Sequence, residues 1–216
     1  MSSILYIGSK QYPALLRQIP DPPQKLYRVG PLPDPTLPTI AVVGTRHVTD
    51  YGKQVTWELT TQLVRFGFVI VSGFMYGVDA VAHEACIEAG GKTIAVLGYG
   101  LEAPFFPSSH ALLARKVLAS GGCLLSEFEP HQGARPQNFP KRNRIVSGLS
   151  LGVLVTEAAI KSGSLITARL AGEQGRELFA VPGPMNSPYS EGTKILVNMG
   201  AKLVTNIDDI VEELKR

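Results

Sequence analysis

The chain has 216 residues, 44% of them hydrophobic and 18% charged, which excludes a disordered polymer and leaves enough apolar mass to bury a core. Its net charge of +3 and isoelectric point of about 8.9 are too mild for histone-like wrapping, so any nucleic-acid binding must come from a local patch. Two distant cysteines, Cys86 and Cys123, and four scattered histidines provide neither a disulfide framework nor metal-ligand spacing, and no metal or cofactor is expected.

The opening Met1-Ser2-Ser3-Ile4-Leu5-Tyr6 has no basic leader, and no run approaches ~18 apolar residues. A soluble, cytoplasmic protein with no membrane association is expected. Prolines at 13, 20, 22, 23, 31, 33, 35 and 38 forbid a long helix or a central strand in that stretch. It has room for a short helix near Ala14–Gln18 and one edge strand, Lys25–Val29. Residues 1–38 therefore read as a lead-in packed on a main domain spanning 39–216.

From Thr39 onward, strand and helix alternate. Apolar, β-branched runs occur at Ile40–Val43, Val69–Val71, Thr93–Leu97, Cys123–Leu125, Gly152–Val155, Glu177–Val181 and Lys202–Val204. Helical stretches fall at Tyr51–Phe66, Val78–Ala89, Ala111–Ala119, Leu165–Gln174 and Lys194–Met199, with a closing helix over Asp208–Leu214. Continuous apolar strands separated by helices imply a mostly parallel sheet covered on both faces. The fold class is α/β: a doubly wound sheet of about seven strands, with ligands at the strands' carboxyl ends.

The turns at those ends are rich in small residues: Gly44-Thr45-Arg46, Ser72-Gly73 leading to Gly77-Val78-Asp79, Gly98-Tyr99-Gly100, and Lys161-Ser162-Gly163-Ser164. Glycine lets a backbone approach a ligand, and the free N–H groups of a following helix attract anions. Several such turns along one sheet edge make an anion-binding rim that includes Arg46. The stretch Phe139-Pro140-Lys141-Arg142-Asn143-Arg144 adds three cations, an amide and an aromatic face. It lies within a window, 130–156, that has no Asp or Glu. These groups suit phosphate binding and base stacking, and the bland alternative is a solvated basic turn.

Three enzyme-like patterns fail on context. Gly91-Lys92-Thr93 precedes a strand and has Cys86 where a P-loop needs glycine. Gly98-x-Gly100-x-x-Ala103 is followed by Pro104-Phe105-Phe106-Pro107, where a dinucleotide fingerprint must open a helix. Asp79 and His83, four apart on a helix, have no activated nucleophile beside them. Asp79 is expected to bind free N–H groups at the helix start, and His83 to pack. No catalytic residue is assigned.

Taken in order, these turns resemble the DNA-processing protein A family (DprA, also called Smf). The likeness runs from Tyr12-Pro13 through Gly44-Thr45-Arg46, Ser72-Gly73, Ala82-His83, Ser126-Glu127, Phe139-Pro140-x-Arg142-Asn143-Arg144, Ser162-Gly163-Ser164-Leu165-Ile166-Thr167-Ala168 and Pro182-Gly183. The resemblance implies an extended Rossmann-like core that binds single-stranded DNA, forms a homodimer and helps load the RecA recombinase in natural transformation. Carried over residue by residue, it places DNA binding at Arg46, Ser72, Gly73, Phe139, Arg142, Asn143, Arg144, Lys161, Ser162 and Gly163. With four or five cations on phosphates, log affinity should fall against log salt with a slope of about −3. Met75 and Phe106 depart from the small residue and the tyrosine usual in the family. The helical and winged-helix-like domains that flank the core in many members have no counterpart in this sequence. The rival expectation is a nucleotide phosphoribohydrolase of the lysine-decarboxylase-like group, whose Gly-Gly-x-Gly-Thr turn and acid would fall at Lys161–Thr167. A third reading is a nucleotide-sensing scaffold.

Overall fold

Alternating side chains along each central strand serve two opposite faces, and the strands are arranged accordingly. In the computed structural model, which describes residues 2–214, strands β1 (Ser3–Tyr6), β2 (Lys25–Val29), β3 (Thr39–Val43), β4 (Val69–Ser72), β5 (Thr93–Val96), β6 (Cys123–Ser126), β7 (Gly152–Val155), β8 (Glu177–Ala180) and β9 (Lys202–Leu203) form one sheet. Its order is β1-β2-β6-β5-β4-β3-β7-β8-β9. All neighbours from β6 through β9 are parallel, whereas β1–β2 and β2–β6 are antiparallel. The expected parallel, doubly wound sheet is present with its seven strands, and the proline-rich lead-in contributes two more. β2 falls on the expected Lys25–Val29. β1 has no counterpart in the sequence reading: it is four residues long with only Leu5 buried, too short and too exposed to stand out as a strand.

Among the described residues eight α-helices cover the sheet: α1 (Ala14–Arg17), α2 (Asp50–Arg65), α3 (Val78–Glu88), α4 (Ala111–Ala119), α5 (Asn138–Gly148), α6 (Gly163–Glu173), α7 (Glu191–Asn198) and α8 (Asp208–Leu214). Ala41, Val43, Val71, Val96, Val153 and Val155 point to one face and pack with Leu16, Ile145, Val146, Ala168 and Leu196 from α1, α5, α6 and α7. Ile40, Val42, Ile70 and Leu154 point to the other and pack with Leu59, Leu63, Ala82 and Ile210 from α2, α3 and α8. α4 completes that second face through Leu113 and Val117 against Ala95, Leu97 and Leu124. Each fully buried aliphatic side chain contributes about 1.5–3 kcal/mol of apolar transfer free energy, so these two layers set the register of every strand.

The order reverses at β3, which lies between β4 and β7 although β7 follows four strands later. At that reversal the chain leaves β3 and β7 for helices on opposite faces of the sheet, α2 and α6, and a crevice opens at the strands' carboxyl ends. One helix there was not expected from the sequence. The basic segment 139–150, read without a helix, forms α5. Pro140 is the third residue of α5, in the first turn, where a missing N–H breaks no intrahelical bond.

Candidate nucleic-acid interface

The loops around the crevice are stitched together by backbone bonds. Thr45 N–H donates to the Glu157 carbonyl at 2.8 Å and Val78 N–H to the Thr45 carbonyl at 3.1 Å, joining the turns after β3, β7 and β4. Glu157 is itself fixed, because its carboxylate accepts from Thr49 N–H at 2.9 Å and Thr49 Oγ1 at 2.6 Å where α2 begins. Gly77 adopts φ +76°, a left-handed conformation that favours glycine, and a Cβ there would strike the Thr45 carbonyl. The turn after β4 can therefore close against the turn after β3.

Onto this frame α5 projects one face. Phe139, Arg142, Asn143 and Val146, spaced i, i+3, i+4 and i+7, share that face and line a cavity of about 430 Å³. The opposite wall holds Gly44, Thr45 and Arg46 after β3, Gly73, Met75 and Tyr76 after β4, and Lys161, Ser162 and Gly163 where α6 begins. Ser162 caps α6, accepting from Ser164 N–H at 3.4 Å, and Asn143 Nδ2 donates to the Gly163 carbonyl at 3.3 Å. The positive end of α6 thus opens onto the cavity, between Lys161 and α5. Arg46, exposed, lies over the Phe139 ring with its guanidinium carbon 5.7 Å from the centroid.

Arg142 is the unusual group. It is only 3% exposed, and its Nε has no hydrogen-bond partner among the described residues. An unpaired buried Nε is costly, and the guanidinium lines the cavity, where its donors can be offered to an anion. The facing carboxylate is Asp79, across Gly73; a Cβ on Gly73 would collide with both side chains. Burial pushes the Arg142 guanidinium below its usual range, with Asp79 opposing. Burial pushes the Asp79 carboxyl up, while Arg142 and the Met75 N–H pull it down. Asp79 accepts from Met75 N–H at 3.3 Å, close to the N–H-binding role expected of it. His83 packs as expected and is also tied to the floor of the site: its Nε2 donates to the Gly73 carbonyl at 2.6 Å, and Nδ1 lies 2.8 Å from Thr93 Oγ1.

Of the ten sequence-derived site residues, eight line this one cavity: Arg46, Gly73, Phe139, Arg142, Asn143, Lys161, Ser162 and Gly163. Ser72 and Arg144 do not. Ser72 is fully buried at the end of β4, where its hydroxyl donates to the Val42 carbonyl at 2.6 Å. Arg144 pairs in a fork with Glu127, at 2.7 and 2.8 Å, and donates to Asp21 at 3.0 Å. The reason is helical geometry: residues two apart on a helix point about 200° apart, so Arg142 and Arg144 cannot serve one site. The basic stretch, free of acids in sequence, is thus partly neutralised in space: Glu127 and Asp21 pair with Arg144, and Asp79 faces Arg142. Lys141 is outside the lining and 3.9 Å from Glu127. Tyr189 and Thr167 also line the cavity; no local motif marks Tyr189, whereas Thr167 belongs to the Ser162–Ala168 stretch. Asp79 is expected from sequence at the start of a helix and on one face with His83, whereas its position opposite Arg142 needs the tertiary fold. Among the described residues no three His, Cys, Asp or Glu side chains are grouped to hold a metal, and no helix is long and apolar enough to cross a membrane.

The whole arrangement has close relatives. The family model for DNA recombination-mediator protein A matches residues 3–215. The DNA processing protein DprA of Bacillus subtilis is 47% identical over 96% of this chain and 70% of its own length. The crystal structure of DNA processing protein A from Streptococcus pneumoniae superposes with a TM-score of 0.90 at 38% identity, covering 98% of this chain and 74% of that one. The Helicobacter pylori DNA processing protein A, described for its unique single-stranded DNA binding mode, gives 0.86 at 35% identity, covering 100% and 96%. This chain spans between 49% and 71% of the lengths of the curated relatives it matches. On the family match, the identities and the shared fold, the chain belongs to the DNA recombination-mediator protein A family, also named DprA or Smf.

Proposed function

We propose that this protein binds single-stranded DNA in the α5–α6 cavity and acts as a recombination mediator. In that role it protects incoming strands and helps load RecA during natural transformation. The observation that carries the reading is Arg142, a buried cation that lines a cavity holding two further cations, Arg46 and Lys161, and one carboxylate, Asp79. Arg46, Lys161 and the α6 N-terminus supply three further positive groups around it, and Phe139 supplies a ring for a base. Backbone phosphates and stacking carry little sequence code, so base identity should matter little.

The site is read as a binding site and not as a hydrolytic one. The carboxylate in the lining, Asp79, faces Arg142 and holds Met75 N–H, and Glu157 is engaged by Thr49. Neither is free to activate water or attack a sugar carbon. The protein is read as cytoplasmic and homodimeric. Ile195, Met199 and Leu203, exposed beside the terminal strand β9, support an apolar contact between copies. A gel shift with labelled oligothymidylate against duplex of equal length tests the reading. Retardation of the single strand at lower protein concentration is expected. Equal affinity for both, or release of free base from nucleoside monophosphates, would replace it.

A further inference from the structure

The cavity does not end at Phe139. Arg46, His47, Met75 and Tyr76 also line an adjoining shallow groove, completed by Val48, Gly77 and Phe106. We propose that this groove is a second base-stacking subsite, in which Phe106 and Tyr76 receive the nucleotide next to the one held over Phe139. The inference rests on the single-strand reading and extends it.

Phe106 is 44% exposed and Tyr76 49% exposed. A lone exposed aromatic needs no explanation, but two in one groove with the Arg46 cation, a histidine and no carboxylate in the lining mark a surface for an anionic, ring-bearing partner. Both rings are mounted firmly. Phe106 packs on Phe139 at 5.7 Å between centroids, and its backbone N–H donates to the buried Tyr99 hydroxyl at 3.0 Å. Tyr76 stands edge-on to His110 at 5.3 Å, and His110 stands edge-on to the buried Phe74 at the same distance. Rings already held in place lose little freedom on stacking, which is what a stacking platform requires. The segment Gly98–Pro107, which failed as a dinucleotide fingerprint, thereby gains a role: it carries Phe106 to the rim.

The subsite also bears on selectivity. Phosphates are present on duplex and single strand alike, so Arg46, Arg142 and Lys161 alone cannot separate the two. In a duplex each base face is already covered by its neighbours, whereas an unpaired strand can offer successive faces to Phe139 and then to Phe106 and Tyr76.

The test measures binding of thymidine 5′-phosphate and oligothymidylates up to about six nucleotides long to wild type, Phe106→Ala, Tyr76→Ala and the double variant. Phe106→Leu and Tyr76→Leu, which keep apolar bulk without a ring, guard against loss of fold. Wild-type affinity is expected to climb with length. The double variant should lose at least about fivefold on the longer strands and keep the wild-type salt slope because no cation is removed, and Phe106→Ala, whose side chain lies outside the Phe139 cavity lining, should retain thymidine 5′-phosphate binding. Variants that match wild type at every length would overturn the subsite and leave the Phe139 cavity standing. A wild type that binds no oligonucleotide would overturn the single-strand reading itself.

Discussion

Arg142 and Arg144, two positions apart, illustrate opposite uses of one residue type. Arg144 is spent on structure: its fork to Glu127 and its bond to Asp21 tie α5 to the β6 loop and to the lead-in. Truncating it strands a buried carboxylate, and Arg144→Ala should lower the unfolding free energy by about 3–5 kcal/mol in urea denaturation. Arg142 is instead a burden on the fold. The double variant Arg142→Met with Asp79→Asn removes two desolvated charges and should melt at or above the wild-type temperature while losing DNA affinity. A large fall in melting temperature would show that the pair serves stability. His83 adds a pH dependence. Burial holds it far below its usual range, at about 4, with the bond to the Gly73 carbonyl opposing. Between pH about 6.5 and about 4 the unfolded chain takes up a proton here that the folded chain refuses, so this contribution to stability is lost on acidification, by up to about 3 kcal/mol. Asp79, raised by burial, works in the opposite sense, and His110 and Arg142 also face the ring electrostatically. The informative quantity is therefore the difference in slope between wild type and His83→Gln over that window. Parallel slopes would contradict the assignment.

At the level of elements, α5 and α6 do the positioning. α6 brings Gly163 to the cavity wall, where a Cβ would meet no atom of the protein within 4 Å. Gly163→Ala should therefore fold as stably as wild type, and a fall in DNA affinity at unchanged melting temperature would report close approach of a phosphate to the helix end. Unchanged affinity would move the phosphate elsewhere. These elements also mark where the sequence was informative. The parallel strands are legible because β3, β4, β5, β6 and β7 are buried on both faces and read as unbroken apolar runs. Gly44-Thr45-Arg46 and Lys161-Ser162-Gly163 are legible because they follow such runs. α5 is not: Lys141, Arg142, Asn143 and Arg144 break any apolar periodicity, and Pro140 suggests a turn until its place in the first helical turn is known. With the helix unseen, the split between Arg142 and Arg144 could not be anticipated, because proximity in sequence looks like proximity in space. The ion pairs made by the segment come from Asp21 and Glu127, Asp79 faces Arg142 electrostatically, and only the packed sheet brings those residues to α5.

Across the whole molecule, function follows from where the strand order reverses. β3 and β7 diverge into loops, β4 supplies Gly73, and helices from opposite faces meet over the gap, so residues 46, 73, 142 and 161 converge although they span more than half the chain. The lead-in strands β1 and β2 extend the far edge beside β6 and take no part in the cavity lining. Their contribution reaches the site through α1, which packs Leu16 into the layer shared with α5, and through Asp21. The exclusion of Arg144 also revises the electrostatics: three cations, Arg46, Arg142 and Lys161, line the cavity, fewer than the segment's composition suggested. The most direct measurement is the fluorescence anisotropy of a labelled oligothymidylate titrated with wild type and with Arg142→Ala across a range of salt. Three phosphate contacts predict a slope of about −2 in log affinity against log salt, flattened by about 0.7 in Arg142→Ala. Identical slopes for the two proteins, with Arg142→Ala fully folded, would contradict the claim that this cavity grips the DNA backbone.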